Sequence, residues 1–269
     1  MIQEYSDYLQ SAASLSLQTA DTFKGIQFDE KSQAVELFAL QSLAMCDSHC
    51  RASALLMRNN FPAETVMVLR PIQELLFDIH WILQPETKEE RLERVYKLEA
   101  DPYARWDRET KLIAKGYSAE KARQFRVPLD KFLTTKVHLV DLDQDGTKSF
   151  KAMNTSLADR MGDKLRPLYY HIFMFGSLFS HPTPANKNLY LERRGVEKNV
   201  EALEESLRQF VAYSILSVLF IAGYSEKILG AFSASAKTQR DDLFQQMIEL
   251  VEKANKEYFS NPFQAGRNE

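Results

Sequence analysis

Residues 66–83 read VMVLRPIQELLFDIHWIL, and this stretch decides the fold. Arg70, Glu74 and Asp78 stand four apart in it, which places them on one face of a helix. The other faces carry Val, Met, Leu, Ile, Phe and Trp, so the helix is expected to be buried all round. A charged stripe inside a core needs partners, because unpaired charge is costly to bury. A second apolar stretch, LYYHIFMFGSLFSHP at 168–182, offers His171, Ser177 and His181. The expectation is a polar pocket built from Arg70, Glu74, Asp78 and Ser177, with His181 facing the acids.

Helical periodicity continues outward on both sides. A first helix is expected over Ile2 to about Phe23, closed by Gly25. Asp29 is its successor's N-cap, with Ser32 as the alternative start. That second helix runs until Phe61-Pro62, and Pro62 opens the third, which ends near Leu83. Pro71 removes one backbone bond inside it, so a kink is expected near Met67. From Pro85 to Ser149 the composition changes to a charged helical insertion of two or three outer helices, with breaks at Asp101-Pro102 and Gly116. The stretch after Pro128 is the least regular. Further helices are expected from about Asp163 to His181, Val196 to Phe232 and Lys237 to Tyr258. The fold class is all-α: one helical bundle of about eight to ten helices.

Composition agrees with that reading. In 269 residues, only 9 Gly and 9 Pro leave few turns, which favours long helices over many short strands. A net charge of -3 gives no global basic field that would draw the chain to nucleic acid, although local patches are compatible with it. The most apolar run, residues 210–224, falls short of the roughly 20 residues a membrane span needs. It suits a central core helix, and no membrane role is expected. With no apolar leader at the N-terminus and two cysteines, the chain is expected to be cytoplasmic.

Two motifs invite metal readings. DLDQDG at 141–146 resembles the start of a calcium loop, but six residues after Gly146 stands Ala152 where the bidentate Glu belongs. Cys46-Asp-Ser-His49-Cys50 puts two thiols on one helix face, yet the chain has no second pair of cysteines to complete a zinc site. No metal and no cofactor are expected. Ser177 lies in F-G-S-L-F rather than a G-x-S-x-G elbow, which argues against a hydrolase nucleophile.

Arg166-Pro-Leu-Tyr-Tyr-His171 fits the R-x4–6-H signature, and here the chain resembles HEPN ribonucleases, with Pro167 where that family usually has a polar residue. The resemblance implies metal-independent RNA cleavage at a homodimer interface, in a toxin or phage-defence role. Arg166 and His171 would react there, with His as proton carrier and Arg stabilising phosphate charge. Lys187, Arg193 and Arg194, with Arg160, Lys164 and Lys198 near them, are the candidate phosphate contacts. FPAETVMVLRPIQELLFDIHWIL and the later helix at Phe173–His181 also resemble a bacterial all-helical family known only as a domain of unknown function. That likeness highlights Arg70, Glu74, Ser177 and His181 and implies a fold, not a reaction. Two function classes stay open. One is an RNA-cleaving HEPN-like protein, with His181 as a further candidate catalytic residue. The other is a non-enzymatic helical interaction or small-ligand sensor protein whose polar cluster is structural.

Overall fold

The long apolar-periodic runs become long helices, with turns only where Gly, Pro and capping residues cluster. The computed structural model describes residues 2–142, 144–153, 155–169, 201–230 and 234–260. These form α1 (Ile2–Asp21), α2 (Ala34–Arg58), α3 (Pro62–Leu83), α4 (Lys88–Ala114), α5 (Ala119–Thr135), α6 (Leu157–Tyr169), α7 (Glu201–Leu229) and α8 (Ala234–Ser260). A 3-10 turn at Val137–Leu139 and a two-stranded antiparallel hairpin, β1 (Val140–Leu142) and β2 (Lys148–Phe150), interrupt the series. The class is all-α.

The chain divides into two compact units. Unit 1 comprises Met1–Ile26, Ala39–Ile79 and Met161–Glu269; unit 2 comprises Gln27–Phe38 and His80–Arg160. Unit 2 thus includes the charged stretch expected at 85–149 and adds Gln27–Phe38, which leads into and begins α2.

In unit 1, α1, α7 and α8 pack on one another pairwise. Leu9 and Leu15 of α1, Leu43 of α2, and Ile72, Leu76 and Phe77 of α3 are fully buried. Each such side chain contributes about 1.5–3 kcal/mol by leaving water. Hydrogen bonds from buried polar side chains tie the helices together. Ser6 on α1 donates to the Ala54 carbonyl at 3.2 Å, and Ser225 on α7 to the Ala39 carbonyl at 3.5 Å. α7 is long and apolar enough to cross a membrane by length and composition alone, but 67% of its most apolar window is buried.

In unit 2, α4 and α5 form an antiparallel hairpin against which the 3-10 turn and β2 pack. Ala100, Leu129, Leu133, Leu139 and Phe150 make its core, and Phe150 stacks on Tyr103 at 5.4 Å. Thr87 caps α4 by a reciprocal bond pair with Glu90, and Ser156 and Asp159 do the same for α6.

Several expectations change here. α4 runs unbroken through Pro102, and α5 runs through Pro128 to Thr135. An internal proline costs about 3 kcal/mol or more, and packing of α4 on α5 and the hairpin sustains the helices regardless. The segment after Pro128 is therefore helix, then hairpin. Asp141 and Leu142 of DLDQDG pair in β1, and Gly146, in the turn before β2, has φ +76, a conformation that favours glycine. α3 keeps its expected bounds and continues through Pro71. α2 begins at Ala34, later than either expected start; the Asp29 carboxylate accepts from the backbone N–H of Lys31 and of Ser32, and so caps the separate turn that leads into α2.

Candidate functional site

The charged stripe of α3 is not enclosed. Arg70 Nε lies 3.6 Å from Glu74 Oε1, but the Glu74 side chain is 49% exposed and that of Arg70 23%. Asp78 is half-buried. The expectation of a helix buried all round is therefore corrected. α3 has an inner face, with Leu69, Ile72, Leu76 and Ile79, and an outer face where this stripe lies beside the exposed Met67. Ion pairs with that much solvent access are weak.

The uncharged polar residues that α3 does bury are Thr65 and Gln73, and of these Gln73, which the sequence reading passed over, reaches another helix. Its amide donates to Ser214 Oγ on α7 at 3.0 Å, and Ser214 donates on to the Phe210 carbonyl at 2.8 Å. Gln73 Oε1 is buried without a hydrogen-bond partner among the described residues. The sequence signal was there: Gln73 is the lone uncharged polar residue in an apolar run, three residues before Leu76 and four before Phe77.

Each side chain of Cys46-Asp-Ser-His49-Cys50 with ligand chemistry is otherwise engaged or inert. His49 Nδ1 donates to the Val68 carbonyl at 2.6 Å, linking α2 to α3 one residue along from Met67, whose carbonyl Pro71 leaves without its helical donor. Asp47 pairs with Arg51 at 2.7 Å. Burial, with the Asp47 charge added, pushes the Cys50 thiol up to about 12. Burial likewise raises Cys46, with Cys50 as a lesser cause. Thiols held protonated neither attack nor ligate readily. Among the described residues, no group of three or more His, Cys, Asp or Glu could hold a metal ion.

Unit 2 contains an ionisable cluster that the sequence reading missed. Lys151 Nζ donates to both Glu93 oxygens, at 3.0 and 2.9 Å, and to Asp141 Oδ1 at 3.2 Å. Burial works against its charge, but these two carboxylates together outweigh burial and raise its pKa. Tyr96 OH donates to the Lys31 carbonyl at 2.8 Å, and its ring lies 5.0 Å from His138. His138 Nδ1 is buried without a hydrogen-bond partner among the described residues. Burial, then the Lys136 and Lys31 charges, lower its pKa. Burial raises the Glu99 carboxyl, and Lys136 opposes that. A neutral imidazole and a weakened acid can each carry a proton. Here, though, the bonds from Tyr96 and Lys151 mainly pin the 27–38 segment and the hairpin onto α4.

The described surface has two open grooves. One, of about 510 Å³, lies between α1 and α8 beside Ser11, Thr238, Asp242 and Gln246. The other, of about 470 Å³, lies at the start of α4 beside Gln84, Glu89, Arg94 and Lys97. Neither is lined by a residue expected to act chemically. Arg166 falls in the last turn of α6 and Lys164 just before it, while Arg160 lies on the far side of a break at Gly162, where φ is +59. His171, Ser177, His181, Lys187, Arg193, Arg194 and Lys198 lie outside the described residues.

Among the described residues the fold defines a class, an all-α protein with a short two-stranded hairpin. No family model, no curated protein and no solved structure matches the chain.

Proposed function

We propose that the chain is a non-enzymatic helical interaction protein whose recognition surface lies on unit 2. One observation carries this reading. Trp106, Leu112, Ile113, Tyr117, Val127, Val137 and Leu142, all in unit 2, are between 39% and 67% exposed. Leu112, Ile113 and Tyr117 adjoin in sequence where α4 ends, and grouped exposure of that kind marks surfaces that meet a partner. The polar groups described in unit 1 support it from the other side. Gln73, Ser214 and His49 serve to join helices, and Glu74, the acid of the Arg70–Glu74 pair, is exposed.

Two measurements test the reading. Leu112→Ser and Val127→Ser should leave folding stability unchanged within about 0.5 kcal/mol, as surface substitutions do. A loss of several times that would mean these residues are packed, and the surface would vanish. Purified wild type should leave RNA intact.

The RNA-cleaving reading stands second, favoured by the placement of Arg166 on a helix, α6, as the R-x4–6-H signature requires. It assigns the reaction to Arg166 and His171 across a homodimer, with His181 nearby and Lys187, Arg193 and Arg194 on phosphate. RNA cleavage by wild type, lost in His171→Ala or His181→Ala, would put it first.

A further inference from the structure

We propose that the tip of the α4–α5 hairpin docks on an anionic lipid membrane, its Leu112 and Ile113 entering the interface between lysines. The proposal rests on the interaction reading and names the partner of the same surface.

The tip combines two features that seldom meet on an ordinary helical turn. Leu112, Ile113 and Tyr117 are 64%, 45% and 49% exposed where α4 ends and the chain turns toward α5. Around them Lys111, Lys115, Lys121 and Arg123 are all exposed. Residues 105–131 hold eight Lys or Arg against four Asp or Glu, in a chain whose net charge is -3. Two of the four acids are already engaged. Asp107 pairs with Lys111 at 2.6 Å and Arg126 at 3.3 Å, and Asp130 with Arg126 at 3.3 Å. Arg105 also pairs with Asp101 at 2.8 Å, so the local excess of positive charge at the tip is carried by Lys115, Lys121 and Arg123, all exposed.

The identity of the exposed groups separates the candidate partners. Single-stranded nucleic acid stacks its bases on aromatic faces. At the tip itself Leu112 and Ile113 have none, the Tyr117 ring already carries the Lys121 ammonium at 4.9 Å, and the exposed Trp106 stands a turn and a half back along α4, a lone aromatic face. A second copy of the chain would bring two like-charged tips together, and desolvating lysine against lysine opposes such contact. A lipid surface takes both features at once. Aliphatic and tyrosyl side chains settle at the boundary of headgroup and acyl chain, while lysines meet lipid phosphates. Lysine stems are long enough to keep their charges at the headgroups while their methylenes follow the leucine inward.

Flotation of the full chain with vesicles tests this. Binding is expected to vesicles holding about 30 mol% phosphatidylglycerol in phosphatidylcholine, and to fall in high salt as screening shortens. Leu112→Asp with Ile113→Asp should weaken it by about tenfold or more, as should Lys115→Glu with Arg123→Glu. Circular dichroism confirms that both variants fold. Equal binding to pure phosphatidylcholine, or anionic binding untouched by either variant, overturns the proposal. So does the absence of vesicle binding. If in that case the variants abolish RNA binding or self-association, the interaction reading survives with another partner. If they change none of the three, it falls as well.

Discussion

The Glu226–Arg240 pair joins α7 to α8, and it provides the sharpest test of how unit 1 is held together. Glu226 is 1% exposed and Arg240 17%, and the guanidinium donates to the carboxylate. Arg240→Ala strands the Glu226 carboxylate in the core. Removing one partner of a buried pair costs about 3–5 kcal/mol, and the partial water access of Arg240 sets the expectation near 3 kcal/mol. At about 2–4 °C per kcal/mol for a unit of this size, the melting temperature should drop by about 6–12 °C. Removing both charges is a different matter. Glu226→Gln with Arg240→Met leaves no charge buried alone and should cost about 1 kcal/mol or less. Arg240→Met alone should cost about as much as Arg240→Ala, so urea unfolding of wild type, Glu226→Gln, Arg240→Met and the double variant closes a cycle with a coupling of about 2 kcal/mol or more. Gly223 offers a companion measurement, since a Cβ there would lie 3.4 Å from Arg240 Nη1. Gly223→Ala should be tolerated, whereas Gly223→Val should displace the guanidinium and reproduce part of the Arg240→Ala loss. An Arg240→Ala cost below about 1 kcal/mol, or single effects that simply add, would refute the claim that this pair is desolvated and coupled.

Three further outcomes follow from the same physical chemistry. Cys46 and Cys50, buried and held protonated, should resist thiol reagents in native protein at pH 8 and react only on unfolding; prompt native labelling would contradict their burial. His138 should titrate below its ordinary 6.5, and Lys136→Ala should move it upward. Because the unfolded state takes up that proton first, stability should decline as pH falls through 6.5, and an imidazole NMR titration above 6.5 would contradict the assignment. Phe150→Ala should cost about 3–5 kcal/mol and speed amide exchange across 80–160, where Phe150 completes the unit 2 core; unchanged exchange there would show that the core does not depend on it.

The local parts of this molecule were legible in the sequence. The bounds of α3, the turn capped by Asp29 and the break at Gly116 all depend on groups within a few residues of one another. Capping and helical spacing act over that range, so a single chain displays them. The internal prolines misled because the rule against them is also local. Whether Pro102 ends a helix depends on whether α5 and the hairpin hold that helix against the lost bond.

What only the tertiary structure decided is which face of each helix turns inward and which distant groups meet. Arg70 and Glu74 announced themselves by charge, but the side chain buried on α3 is Gln73, bonded to a serine 141 residues away. Lys151 finds Glu93 across 58 residues, and His138 finds Tyr96 through a turn whose course no periodicity describes. A residue's own chemistry states what its burial would cost. Only its neighbours determine whether it is buried, and the neighbours are brought together by the fold. The sequence by itself thus determined an all-α chain with most of its helix ends. The folded structure turned Glu74 outward, used Ser6, Gln73 and Ser225 to join helices, and left the apolar residues at the turn between α4 and α5 exposed among lysines.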